Sequence, residues 1–120
     1  MKLSLLLYVL ALKLRRAARK NPAYRGHLGA LQVRVLIKTA DGNRGRLFSF
    51  DRGTFTTKSG AGHESDVALI WADAATGFRV MTSKDGDADT FKAAAEGKVR
   101  VEGMVPYLQW FTDGIKLVMG

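Results

Sequence analysis

The 120-residue sequence contains no cysteine, which excludes a disulfide framework, a thiolate zinc site and a cysteine nucleophile. No apolar run approaches the roughly 20 residues that a membrane-spanning helix requires. Acidic residues are absent from positions 1–40, which carry nine Lys and Arg side chains, whereas residues 41–120 are close to neutral. The basic character therefore belongs to the amino-terminal third. This argues against a general nucleic-acid-binding face and favours a local anionic partner.

Segment 1–20 combines an apolar half with a basic half, and Asn21-Pro22 predicts the end of its helix. The segment lacks the small-residue cleavage site of a signal peptide, since basic residues follow the apolar run directly. Three interpretations remain open: a core helix, a helix that contacts an anionic membrane, and a cleaved leader. The candidate membrane-contact residues are Leu5, Leu6, Val9, Lys13, Arg15, Arg16 and Arg19.

The middle of the chain shows the period-two alternation of half-buried strands. Predicted strands cover residues 31–38, 46–50, 54–58 and 66–71. Turn residues separate the first three strands, so the pattern predicts an antiparallel meander. The pattern does not determine the conformation of residues 73–87.

The carboxy-terminal part predicts a helix, a strand and a second helix. The first helix covers 88–96, with Asp87 as its cap and an inward face of Ala88, Phe91, Ala94 and Ala95. A strand follows at 97–103. The last helix carries an apolar stripe formed by Met104, Leu108, Phe111, Ile115 and Val118. Other apolar residues widen this stripe beyond one flat contact, so a sheet, a ligand, a partner or a bilayer must cover the helix.

The sequence contains no motif that is typical of a catalytic site. His27 and His63 lie in glycine-rich surroundings without a second ligand at helical spacing, so we expect solvated loop residues. No nucleophile elbow or phosphate loop is present. We therefore predict no enzymatic activity, no metal and no cofactor, in a single domain spanning 1–120.

Two stretches of the sequence resemble the sterol-carrier-protein type-two family of lipid carriers. They are Ser65-Asp66-Val67-Ala68-Leu69, and Gly97-Lys98-Val99-Arg100-Val101-Glu102-Gly103 leading into an apolar helix. The order of predicted elements is similar over about residues 1–117. The resemblance implies an α+β fold, in which helices on one face of a sheet of about five strands enclose an apolar cavity. It also implies non-enzymatic lipid binding, and some bacterial relatives are accessory proteins of ubiquinone synthesis.

Together these observations predict a lipid-binding or lipid-carrier protein for a sterol, fatty acyl or isoprenoid-type ligand. The candidate ligand-binding residues are Val67, Leu69, Trp71, Phe91, Met104, Leu108, Trp110 and Phe111. The alternative is a ligand-free scaffold or an accessory protein of a membrane-associated lipid or quinone biosynthetic assembly. We expect a cytoplasmic protein, peripheral to a membrane, with a homodimer or assembly partner as a further option and no nucleic-acid partner.

Overall fold

A computed structural model describes residues 2–119 as five helices and five strands. Their bounds are α1 (Lys2–Lys20), α2 (Pro22–Leu28), β1 (Gln32–Thr39), β2 (Gly45–Asp51), β3 (Thr54–Ser59), β4 (Val67–Trp71), α3 (Ala74–Met81), α4 (Gly86–Ala95), β5 (Val99–Gly103) and α5 (Val105–Met119). The α+β class is confirmed. None of the helices in this range is long and apolar enough to cross a membrane.

The five strands form one mixed sheet in the order β3-β2-β1-β4-β5. β4 pairs in parallel with β1, and the other neighbouring pairs are antiparallel. The predicted antiparallel meander of the first three strands is therefore confirmed, and the sheet is mostly antiparallel, with the β1–β4 pair as the exception. Every residue of β4 is buried, so this strand takes a central position, where both faces are covered, instead of continuing the meander at an edge.

Residues 60–66 connect β3 to β4 across the sheet face opposite the helices. Gly45 belongs to that face, and a Cβ atom on it would lie 2.9 Å from Ala61 Cα. At the end of the crossing, the Asp66 carboxylate accepts a hydrogen bond from the Arg34 backbone N–H at 2.8 Å. The crossing explains a small second cluster of buried apolar residues on this face, formed by Leu36, Leu47, Ala68 and Ile70.

The main core lies between the other sheet face and the helices. α1 contributes one side of its cylinder to this core, with buried residues three or four positions apart. These residues are Leu3, Leu7, Leu10, Ala11, Leu14 and Ala17. The amino-terminal helix is thus part of the core along most of its length.

The structure gives the region 73–96 a helical form and corrects two predictions. Asp87 is not a cap: it lies within the first turn of α4, where it accepts a hydrogen bond from Lys116 Nζ at 2.6 Å. The predicted inward face of α4 is also wrong, because Phe91 is 80% exposed. The side packed against the protein contains Gly86, Asp89, Thr90 and Ala93 instead.

Candidate lipid-binding site

Aromatic packing anchors α5 to the sheet. Phe111 is buried, with its ring centroid 5.3 Å from that of Phe48 and 6.0 Å from that of Phe50. Trp110 meets Phe50 edge-on at 5.1 Å. Such aromatic pairs each contribute about 0.5–1.5 kcal/mol beyond the burial of area. The middle of α5 is therefore firmly fixed.

A second set of contacts joins α5 to α2. The His27 ring stacks on Trp110 at 5.2 Å, and His27 Nε2 lies 2.7 Å from the Trp110 carbonyl oxygen. Trp110 Nε1 donates to the His27 carbonyl oxygen at 3.2 Å. His27 is thus a half-buried residue that joins two helices, and its prediction as a solvated loop residue is wrong. The contact is tight, since a Cβ atom at Gly114 would lie 2.9 Å from Tyr24 Cε1.

Despite these contacts, most of the apolar surface of α5 remains accessible. Only Phe111 and Gly114 of this helix are buried. Several apolar residues are half-buried against the core, namely Tyr107, Leu108, Trp110, Ile115 and Val118. Others in and just before the helix are exposed, namely Met104, Val105, Leu117 and Met119. The sheet therefore covers only part of a helix that is apolar around most of its circumference.

The predicted ligand-binding residues divide into two groups. Six belong to the main core or pack against it: Val67, Leu69, Trp71 and Phe111 are buried, and Leu108 and Trp110 are half-buried. The other two, Phe91 and Met104, are exposed. The described residues do not show the enclosed apolar cavity that the resemblance implies. The core near β4 and α5 is instead a closely packed cluster.

Trp71 carries an unsatisfied polar group in this cluster. Its side chain is buried, and Nε1 is the one buried side-chain nitrogen or oxygen in residues 2–119 that has no hydrogen-bond partner. Leaving a buried donor unpaired costs about 1–3 kcal/mol. This donor would be satisfied by a ligand oxygen or a water molecule.

A groove that the sequence did not reveal runs between the carboxy-terminal ends of α1 and α5. Its volume is about 620 Å³, and Ala17, Val118 and Met119 supply apolar lining. The cations that line it are Lys13, Arg16 and Lys20. Within residues 2–119, none of the three forms an ion pair. Sequence reasoning missed this groove because residues about a hundred positions apart form it.

The outward side of α1 carries the predicted membrane-contact residues. Leu5 is 64% exposed, and Tyr8, Val9 and Leu12 are exposed on the same side of the helix, while Leu6 is half-buried. The basic residues that follow are exposed as well, namely Lys13, Arg15, Arg16 and Arg19. The helix therefore has a core-packing side and an amphiphilic outer side. The core-helix interpretation is confirmed for the inner side, and membrane contact by the outer side stays a prediction.

No protein-family profile matches this chain, and no curated protein shows significant sequence similarity to it. Solved structures do match over nearly the whole chain. The chain superimposes on a ubiquinone synthesis protein, UbiJ-SCP2, with a TM-score of 0.65 and 14% identity, covering 95% of this chain and 96% of the other. It has the sterol carrier protein 2 fold.

Two further structures have the same fold. A crystal structure of sterol carrier protein 2 gives a TM-score of 0.61 at 18% identity and covers 92% of this chain and 93% of its own. A Thermus thermophilus protein, described as possibly a sterol carrier protein, gives 0.55 at 20% identity, covering 92% and 84%. At these identities the likeness establishes the sterol carrier protein 2 fold, and function must be argued from the surfaces described above.

Proposed function

We propose that this protein binds a lipid without catalysis, with the ligand's apolar part against α5 and the adjoining sheet. The observation that carries the proposal is the incomplete coverage of the α5 side that faces the sheet, where Leu108, Ile115 and Val118 are only half-buried. Removing apolar surface from water is favourable by roughly 25 cal/mol per Å². An acyl or isoprenoid chain that covered these side chains would therefore bind favourably. The likeness to a sterol carrier protein supports the same class of ligand.

The unpaired Trp71 donor supports a ligand with one polar end. A hydroxyl, carbonyl or carboxylate oxygen that reached Trp71 Nε1 would satisfy the buried donor. Entry would require α5 to move away from the sheet, because the core around Trp71 is closely packed.

The outer side of α1 supports peripheral action at an anionic membrane, on its cytoplasmic side. Leu5, Val9 and Leu12 would enter the interface, while the basic residues that follow would face anionic head groups. Each Lys or Arg near such a surface contributes about 1 kcal/mol.

A second candidate function is that of an accessory protein in a lipid or quinone biosynthetic assembly. The likeness to a ubiquinone synthesis protein over 95% of this chain favours it. In this case the exposed apolar residues of α5 would contact a protein partner or a second copy, and no lipid would be carried.

The test combines native mass spectrometry with ligand displacement. We expect a lipid mass to copurify with the full chain, and a fluorescent fatty acid to bind. Leu108→Ser removes a half-buried side chain next to the core and should weaken binding at least tenfold, about 1.4 kcal/mol. Leu117→Ser, at an exposed position of the same helix, is the matched control and should bind normally.

A wild-type protein that carries no lipid and binds no fatty acid would contradict the carrier proposal. A lipid-free dimer or larger species in the same spectra would support the assembly alternative. Equal binding by the Leu108→Ser and Leu117→Ser variants would place the ligand away from the inner side of α5.

A further inference from the structure

A basic pocket lies between α2 and the turn that joins β2 to β3. Its volume is about 570 Å³, and its charged lining consists of Arg25 from α2 and Arg52 from the turn. Thr54 adds a hydroxyl group. Among the described residues, no acidic side chain lines the pocket. None of the candidate lipid-binding or membrane-contact residues takes part in it.

Arg52 occupies a backbone conformation that its side chain does not favour. β2 and β3 are joined by a two-residue loop in which Arg52 has φ 51° and Gly53 has φ 89°. Within residues 2–119, Arg52 is the one non-glycine residue with a positive φ. Loops with positive φ at both positions favour Asn-Gly, Asp-Gly or Gly-Gly, so an arginine here is not explained by turn formation. A residue held in such a conformation suggests a functional use of its side chain.

The surroundings of Arg52 fix the turn but leave the guanidinium available. The Arg52 backbone N–H donates to the Leu31 carbonyl oxygen at 3.3 Å, just beyond the end of α2. Arg52 Nε forms an exposed ion pair with Asp51 Oδ1 at 3.8 Å, which is too long for a hydrogen bond. That oxygen already accepts a hydrogen bond from Gln32 Nε2 at 2.9 Å. Arg25 has no ion-pair partner in the described part of the chain.

We propose that this pocket binds a phosphate monoester, and that the Arg25 and Arg52 guanidinium groups donate hydrogen bonds to it from two sides. A guanidinium presents a planar fork of N–H donors that matches two phosphate oxygens. A phosphate monoester carries close to two negative charges at neutral pH and has three acceptor oxygens, so it can engage both forks and the Thr54 hydroxyl. The phosphate belongs either to a lipid head group or to a free phosphate ester.

The test follows the backbone amides of Gly26, Gly29 and Gly53 by NMR during titration with inorganic phosphate and with monomeric dodecyl phosphate, at constant ionic strength. Arg52→Asn removes the cation while installing the residue that the turn prefers. This variant should melt at the same or a higher temperature than wild type, yet bind phosphate at least tenfold more weakly. Arg25→Gln should also weaken binding at least tenfold. Arg34→Gln is an exposed variant with the same charge change outside the pocket, and it should bind normally.

Dodecyl phosphate binding at least tenfold more tightly than inorganic phosphate would identify a lipid head group as the source. Equal binding of the two would identify a free phosphate ester. The proposal is overturned if neither probe shifts these amides, if Arg52→Asn binds like wild type, or if Arg25→Gln lowers only the melting temperature. Fatty-acid displacement is measured separately, so failure of the phosphate site would not count against lipid binding at α5.

Discussion

Gly77 lets α3 lie directly on the indole ring of Trp71. A Cβ atom at this position would lie 2.9 Å from Trp71 Cγ and 3.0 Å from Cδ1. The indole is buried in the main core, so it has little room to move aside. The contact therefore requires glycine, although glycine within a helix is unfavourable by about 1 kcal/mol relative to alanine.

We expect Gly77→Ala to destabilise the protein by about 1–3 kcal/mol, because overpacking against Trp71 outweighs the gain in helix propensity. Gly26→Ala is the matched control, since Gly26 is also helical and a Cβ atom there meets nothing within 4 Å. The control should be neutral or stabilising by up to about 1 kcal/mol. Urea unfolding of both variants measures the difference, and equal stability would contradict the close contact.

At single positions, the sequence predicted burial well in strands and less well in helices. Alternation correctly placed Val67, Leu69 and Trp71 on one face of β4, because a strand has only two faces. In α4, four alanines and one phenylalanine are compatible with several inward faces. In the folded protein, the covered face of α4 contains Gly86, Asp89, Thr90 and Ala93, and Phe91 is exposed. Periodicity alone could not predict that choice.

Among the elements, α3 shows how one side chain fixes the start of a helix. Asp73 occupies the cap position and accepts hydrogen bonds from the Thr76 backbone N–H at 2.7 Å and from the Thr76 hydroxyl at 3.1 Å. These two bonds, with weaker help from the charges of Lys98 and Arg79, hold the pKa of Asp73 below its usual value. The charged carboxylate therefore stabilises the folded state.

Asp73→Ala should lower the free energy of unfolding by about 1 kcal/mol near neutral pH, because a helix cap is lost. The contribution of Asp73 is fully present above its unfolded pKa, about 3.9, and disappears as the pH falls through its lower folded pKa. The variant should thus lose less stability than wild type as the pH falls below about 4. Asp85→Ala is the control, since Asp85 has the cap position of α4 without a capping hydrogen bond. Denaturant titrations at several pH values measure the free energy of unfolding of both variants. Equal losses of stability in Asp73→Ala and Asp85→Ala would refute the role of Asp73.

The elements themselves were largely predictable, but their arrangement was not. Turn residues and alternation indicated every strand. The parallel pairing of β4 with β1 depends on a crossing by residues 60–66, for which local sequence carries no signal. The groove between α1 and α5 likewise depends on contacts between distant parts of the chain.

At the scale of the whole molecule, α1 contributes buried side chains to the core and exposed apolar and basic side chains to the surface. Deleting residues 1–12 would remove four buried side chains, Leu3, Leu7, Leu10 and Ala11, and is expected to unfold the protein. Membrane contact must therefore be tested by substitutions on the outer side. Leu5 and Leu12 are suitable, since both are exposed and lie two turns apart on the same side.

We expect the full chain to float with anionic vesicles at low salt, and the double variant Leu5→Glu/Leu12→Glu to remain in the unbound fraction. The glutamates place charge where apolar side chains would enter the interface, and they are repelled by the anionic surface. Because both positions are exposed, the melting temperature should change little. Phe91→Glu is the control: it removes an exposed apolar residue on α4, adds a negative charge, and should leave flotation intact. If the wild-type protein fails to float, or if Phe91→Glu abolishes flotation as fully as the double variant, then α1 is a core helix whose outer residues bind no membrane.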